Sequence, residues 1–118
     1  LLLSTHQLAV EVLRYVDHAY QPVERSDRLC RFCKAEVETP EHALITCKSS
    51  DALVQLRTIF LSRLFQDAPH LQAIMVESSD TEFLKAMIYP RQTIALVAKF
   101  AHEVLQIFYA VPVYRLRA

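Results

Sequence analysis

Apolar and polar positions along this chain recur with a helical period over most of its length, and one short stretch in the first half has no period at all. From residue 5 to 20, Leu8, Val12, Tyr15, Val16 and Ala19 repeat at three and four while Glu11, Arg14 and Asp17 fall elsewhere, which predicts an amphipathic helix. Ser4 and Gln7 fit a capping box at its start, and Gln21-Pro22 ends it. Residues 21–29 are polar and read as a connector. A stronger helix is predicted over 51–66, where Leu53, Leu56, Ile59, Phe60, Leu64 and Phe65 recur and Gln55, Arg57 and Arg63 are assigned to the outer face. Asp67-Ala68-Pro69 opens a short helix to about residue 75, and Ser79 with Glu82 caps another over 81–89. From 91 to 110 apolar side chains lie almost all the way round, which predicts a helix buried on most sides by its neighbours or by a second subunit.

The aperiodic stretch, 29–38, reads as two short extended pieces around a turn at Cys33-Lys34, too short to be a sheet unless something else fixes them. Thr39-Pro40-Glu41 then signals a helix start, with Thr39 as the cap and Pro40 at the first helical position. Four potential metal ligands punctuate this region as Cys30-x2-Cys33-x8-His42-x4-Cys47. A Cys-x2-Cys turn supplies two adjacent sulfur ligands, and a tetrahedral zinc ion needs two more from one further element. His42 and Cys47 qualify only if their helix stops by about Thr46, because five residues of α-helix would leave them about 140° apart. Four ligands close the shell, so the expected site is structural, with one zinc ion and no open position for water or substrate.

Two plainer readings compete with zinc. The cysteines can be small buried hydrophobes, or the Cys-x2-Cys can be a redox pair, although the strand-then-helix setting of such a pair is absent around residue 30. His6, His70 and His102 read as surface or satisfied core residues, and His18, close before the site, is the reserve ligand should His42 fail.

Composition narrows the function. The chain has 118 residues, 53% of them apolar, 13 basic against 13 acidic, and no glycine. One core is the expected scale, disorder is excluded, and so are the phosphate-cradling loops that need glycine. Three cysteines, an odd number, suit a reducing compartment better than a secreted disulfide framework, so an intracellular setting, nuclear or cytoplasmic, is expected. Leu1-Leu2-Leu3 lacks the flank and length of a secretory signal, and without an initiator Met the chain reads as part of something longer. Lys99, His102, Glu103 and Gln106 interrupt the apolar stretch 94–113, so no membrane span is expected. Locally, Arg25, Arg28, Arg31 and Lys34 against Asp27 give +3, with Phe32 among them. Such a surface can contact phosphates and stack on an unpaired base. Equally, it can be a solvated hairpin whose charges answer Glu36, Glu38 and Glu41.

The run Arg28-Leu-Cys-Arg-Phe-Cys, followed by Val37-Glu-Thr-Pro-Glu-His-Ala-Leu-Ile-Thr-Cys47, resembles the zinc-binding region that follows the polymerase domain in reverse transcriptases of non-LTR retrotransposons and their fungal relatives. Leu8-Ala-Val-Glu-Val-Leu-Arg-Tyr and Thr93-Ile-Ala-Leu-Val-Ala-Lys-Phe-Ala are similar to the helices flanking that motif. The resemblance implies that Cys30, Cys33, His42 and Cys47 ligate zinc. It also implies a non-catalytic module that helps a reverse transcriptase grip RNA or DNA.

The resulting expectation is one all-α domain over 1–118, a small bundle of about five helices with a short zinc-knuckle or β-hairpin insertion. The zinc module spans about 27–50 and the helical body 4–21 and 51–112. Nucleic acid would meet Arg25, Arg28, Arg31, Phe32 and Lys34. The alternative is a protein-interaction or homodimerisation domain offering Phe100, Val104, Ile107 and Phe108 from the last helix. Neither a small-molecule substrate nor catalysis is expected, and metal loss is expected to disorder 27–50 while sparing the body.

Overall fold

The computed structural model describes residues 24–114; the helix expected over 5–20, with Ser4, His6, Gln7 and His18, lies outside them. Four α-helices follow one another: α1 (Asp51–Asp67), α2 (His70–Glu77), α3 (Asp80–Ile88) and α4 (Arg91–Tyr109). Before them come a 3-10 turn, Arg25–Asp27, and a single wide helical turn, His42–Thr46. The expected helix limits hold to within two residues, and local chemistry explains them. Ser50 is extended and its Oγ accepts from the Leu53 N–H at 3.3 Å, capping α1. Ser79 does the same for α3 through the Glu82 N–H at 3.2 Å. Pro69 and Pro90 stand just ahead of α2 and α4, where a missing N–H costs nothing.

The long helices α1 and α4 pack against each other, α3 lies on α2 and α4, and the His42–Thr46 turn sits on α4. On α1 the inward stripe is Leu53, Arg57, Phe60 and Leu64, spaced by four, three and four. Opposite it, α4 buries Thr93, Val97, Phe100, Ala101, Val104 and Phe108. Phe60 and Phe100 stack with centroids 3.9 Å apart and planes 4° from parallel.

Three expectations change. Ile59 is 70% exposed, because six residues of helix carry it off the stripe that begins at Leu53. The last helix is one-sided and not buried on most sides, with Ile94 41% and Tyr109 39% exposed. Phe100, Val104 and Phe108, offered above to a partner, lie in the core of this chain, and Ile107 is half-buried at its edge. Helix packing has claimed the surface that an apolar pattern alone assigned to a second molecule.

Among the described residues there is no strand, only an isolated antiparallel bridge between Leu29 and Val37. None of the helices among them is long and apolar enough to cross a membrane.

The register of α1 is testable at adjacent positions. Phe60→Ala is expected to lower unfolding free energy by about 3–5 kcal/mol, and Ile59→Ala to change it by less than about 0.5 kcal/mol, in urea denaturation.

Candidate metal centre

Cys30, Cys33, His42 and Cys47 converge at the junction between the aperiodic stretch and the helical body, with one ligand atom from each within 4.8 Å of all the others. The Cys30 and Cys47 sulfurs are 3.7 Å apart, and the Cys33 sulfur lies 3.4 Å from Nε2 of His42. A tetrahedral ion with metal–sulfur bonds of about 2.3 Å and metal–nitrogen bonds of about 2.0–2.1 Å has S···S edges of about 3.8 Å and S···N edges of about 3.6 Å. Both measured edges are within about 0.2 Å of those values. The donor set therefore fits a divalent ion that favours thiolate and imidazole. Cys30 and Cys47 are buried and Cys33 is half-buried. Neither His70 nor His102, both exposed, takes part.

Each half of the site has its own local device. In the first, Cys30 N–H donates to the Glu36 carbonyl and Glu38 N–H to the Arg28 carbonyl, both at 2.8 Å, flanking the bridge and closing the loop. The Lys34 N–H returns to the Cys30 carbonyl at 2.8 Å, and Lys34 takes φ 56° to turn the chain, a conformation that costs a residue with a Cβ. The Phe32 N–H points at the Cys30 sulfur, 3.4 Å away, as a donor to a ligand thiolate must.

The second half is the wide turn. Thr39 caps it, its Oγ1 accepting from the His42 N–H at 3.2 Å, as its sequence foretold. The helix stops at Thr46, and Cys47 is extended. The Cys47 N–H bonds the His42 carbonyl five residues back at 2.8 Å, so the turn is a π-turn. An α-turn places residue i+4 beneath residue i; this one is a residue wider and brings i+5 there. The separation of about 140° that an α-helix imposes is removed in this way.

Two buried arginines bolt these halves to the helices, and the sequence reading missed both roles. Arg31 is 6% exposed. Its Nε and Nη2 donate to the fully buried carboxylate of Glu38, with Nη2 2.7 Å from Oε1, and its main-chain N–H reaches Oε2 at 2.8 Å. Its Nη1 donates to the Phe108 and Val111 carbonyls at 2.8 and 2.7 Å, satisfying oxygens at the end of α4. Arg31 is thus turned inward, away from any phosphate, and Glu38 belongs to no solvated hairpin. Arg57, assigned above to the outer face, is 7% exposed. It donates from Nε to Leu44 at 2.8 Å, from Nη1 to Cys47 at 2.7 Å and from Nη2 to Ala43 at 3.2 Å, all main-chain carbonyls of the ligand turn. A charged residue four after Leu53 and three before Phe60, on the apolar stripe, was the available signal.

The remaining basic candidates lie at the rim. Arg25 and Lys34 are exposed, Arg28 is half-buried, and Lys34 Nζ stands 5.2 Å from the Tyr114 ring centroid. Phe32 is half-buried and meets Phe108 edge-on, with centroids 4.8 Å apart.

Burial pushes the Cys30 thiol up from 9.0 to about 12, opposed by the N–H groups of Cys33 and Phe32 and reinforced by Cys47 and Cys33. A redox-active cysteine needs the opposite shift, and a metal ion binding here would have to displace the proton. Burial also lowers His42 from 6.5 against the pull of Glu36 and Glu38, keeping the imidazole neutral as a ligand must be. Burial lowers Arg57, and Cys47 opposes this.

These shifts set the pH response of the metal-free chain. An acid whose pKa rises on folding contributes stability below pH 9.0 that is lost as pH climbs toward 12; a base whose pKa falls contributes stability above pH 6.5 that is lost on acidification. The urea midpoint of the metal-free protein is therefore expected to be highest between pH 6.5 and 9.0 and to fall on both sides. A midpoint still rising at pH 10 contradicts this assignment.

No family model, curated protein or solved structure matches this chain.

Proposed function

We propose that this chain is a non-catalytic zinc-binding module, similar to the one that follows the polymerase domain of retrotransposon reverse transcriptases, and that it assists the binding of RNA or DNA. The observation that supports it most is the convergence of three sulfurs and one imidazole nitrogen within 4.8 Å of one another, two of the pairs at the spacing of a shared ion. Three soft ligands and one borderline ligand select zinc among abundant cellular divalent ions, and four protein ligands exclude a bound water to activate. Zinc supplies structure in such a shell. The residues around it do the rest: Thr39 and Arg57 shape the ligand turn, while Arg31 and Glu38 lock the Cys30–Cys33 loop to α4.

For nucleic acid the reading now rests on Arg25, Arg28 and Lys34 beside the edge of Phe32, with Arg31 withdrawn into the fold. Three phosphate contacts make a weak, salt-sensitive grip. The rival reading, a protein-interaction module, is supported by a different surface from the one inferred above: a mostly apolar groove of about 240 Å³ between α1 and α4, whose lining includes Leu56, Ile59 and Leu96 beside the charged Arg63, Lys99 and Glu103.

Elemental assay is expected to find one zinc per chain. Fluorescence anisotropy with single-stranded RNA is expected to show binding whose log affinity falls with log salt at a slope of about −2, the product of three contacts and about 0.7 each. Charge reversal at Arg25 and Lys34 should weaken it. Absence of binding at low salt, or binding indifferent to those changes, removes the nucleic-acid reading.

A further inference from the structure

We propose that Arg57 is the positioning residue of the metal centre: its guanidinium fixes the main chain between His42 and Cys47 in ligand geometry and supplies the positive charge that the filled site lacks. This rests on the metal-binding reading above and deepens it.

Geometry carries the first half. A single π-turn ends after five residues, so its last carbonyls have no partners further along a helix. Those of Ala43, Leu44 and Cys47 converge on one side chain, delivered from the core face of α1. A planar fork meets the three carbonyls from three separate nitrogens in fixed directions, whereas an ammonium group offers its three donors from a single freely rotating point. One of the three carbonyls belongs to Cys47 itself, so the direction of its Cα–Cβ bond is coupled to the guanidinium plane. The wide turn is an uncommon conformation, and an external clamp is what holds it open at the ligand spacing.

Charge carries the second half. Arg57 is 7% exposed, and among the described residues no carboxylate forms an ion pair with it, whereas Arg31, equally deep, has Glu38. A buried charge without a counter-charge is costly enough that it is seldom kept without a function. Three thiolates and a neutral imidazole around a divalent cation leave a net charge of −1 beside it, on ligands that include the residue whose carbonyl Arg57 holds. The unmatched cation and the unmatched anionic shell answer each other.

The test is competition for Co2+ and Zn2+ between a chromophoric chelator and the metal-stripped full chain, carried out on the parent and on Arg57→Met, Arg57→Lys and Arg63→Met. Arg63 lies on the same helix, exposed, and pairs with Asp67 one turn on. Arg57→Met is expected to weaken affinity about 10–100-fold, with altered visible bands at Co2+ saturation, Arg57→Lys to fall between it and the parent, and Arg63→Met to match the parent. Arg57→Met within about twofold of the parent, with unchanged bands, overturns the proposal. Should Arg57→Met lose its helical signal, Arg57→Lys decides: parent affinity overturns the clamp, and a loss of about threefold or more supports it. A parent that binds neither ion defeats the metal reading itself, which is a distinguishable result.

Discussion

Four side chains that could hold a metal ion, Cys30, Cys33, His42 and Cys47, converge although they come from two stretches of chain with unrelated conformations, and that convergence is the constraint on which the structure around them depends. Cys30 and Cys33 sit on a loop closed by one bridge and turned at Lys34; His42 and Cys47 sit at the two ends of a π-turn. Arg31 ties the loop to the end of α4, and Arg57 ties the turn to the middle of α1. The helix that carries Arg57 and the helix that receives Arg31 pack on each other through Phe60 and Phe100, so both halves of the site are tied to one helical pair.

This arrangement alters the relation between the metal and the helices. Read from sequence, 27–50 is a polar appendage that depends on its ion while the bundle stands alone. In the structure Cys30, Ala43, Leu44 and Cys47 belong to the same core cluster as Leu53, Phe60 and Phe108. An ion bound by these side chains would therefore adjoin buried thiols, the buried Arg31–Glu38 pair and the buried Arg57 within that shared core, which would couple it to the helical body.

The helices were legible because their signals are local. Pro69 and Ser79 mark starts that physics permits in few other places, and Thr39 announced even the short turn at His42. The clustering of Cys30, Cys33, His42 and Cys47 was legible because their spacing and residue types are both specific. Arg57 and Ile59 were misplaced for a common reason: residue type was allowed to override angular position, so the cation was sent outward and the isoleucine inward. Arg31 and the partner face of α4 failed differently, since their fates depend on which elements meet in space. No local pattern encodes that Glu38 and the end of α4 surround one guanidinium, or that Phe60 of α1 stacks on Phe100.

The central claim concerns the inner shell of a metal ion, and X-ray absorption at the zinc edge of the metal-loaded chain addresses it most directly. The account predicts three sulfur neighbours at about 2.3 Å and one nitrogen at about 2.0–2.1 Å. A shell dominated by oxygen, or one with fewer than three sulfurs in fully reduced protein, would contradict it.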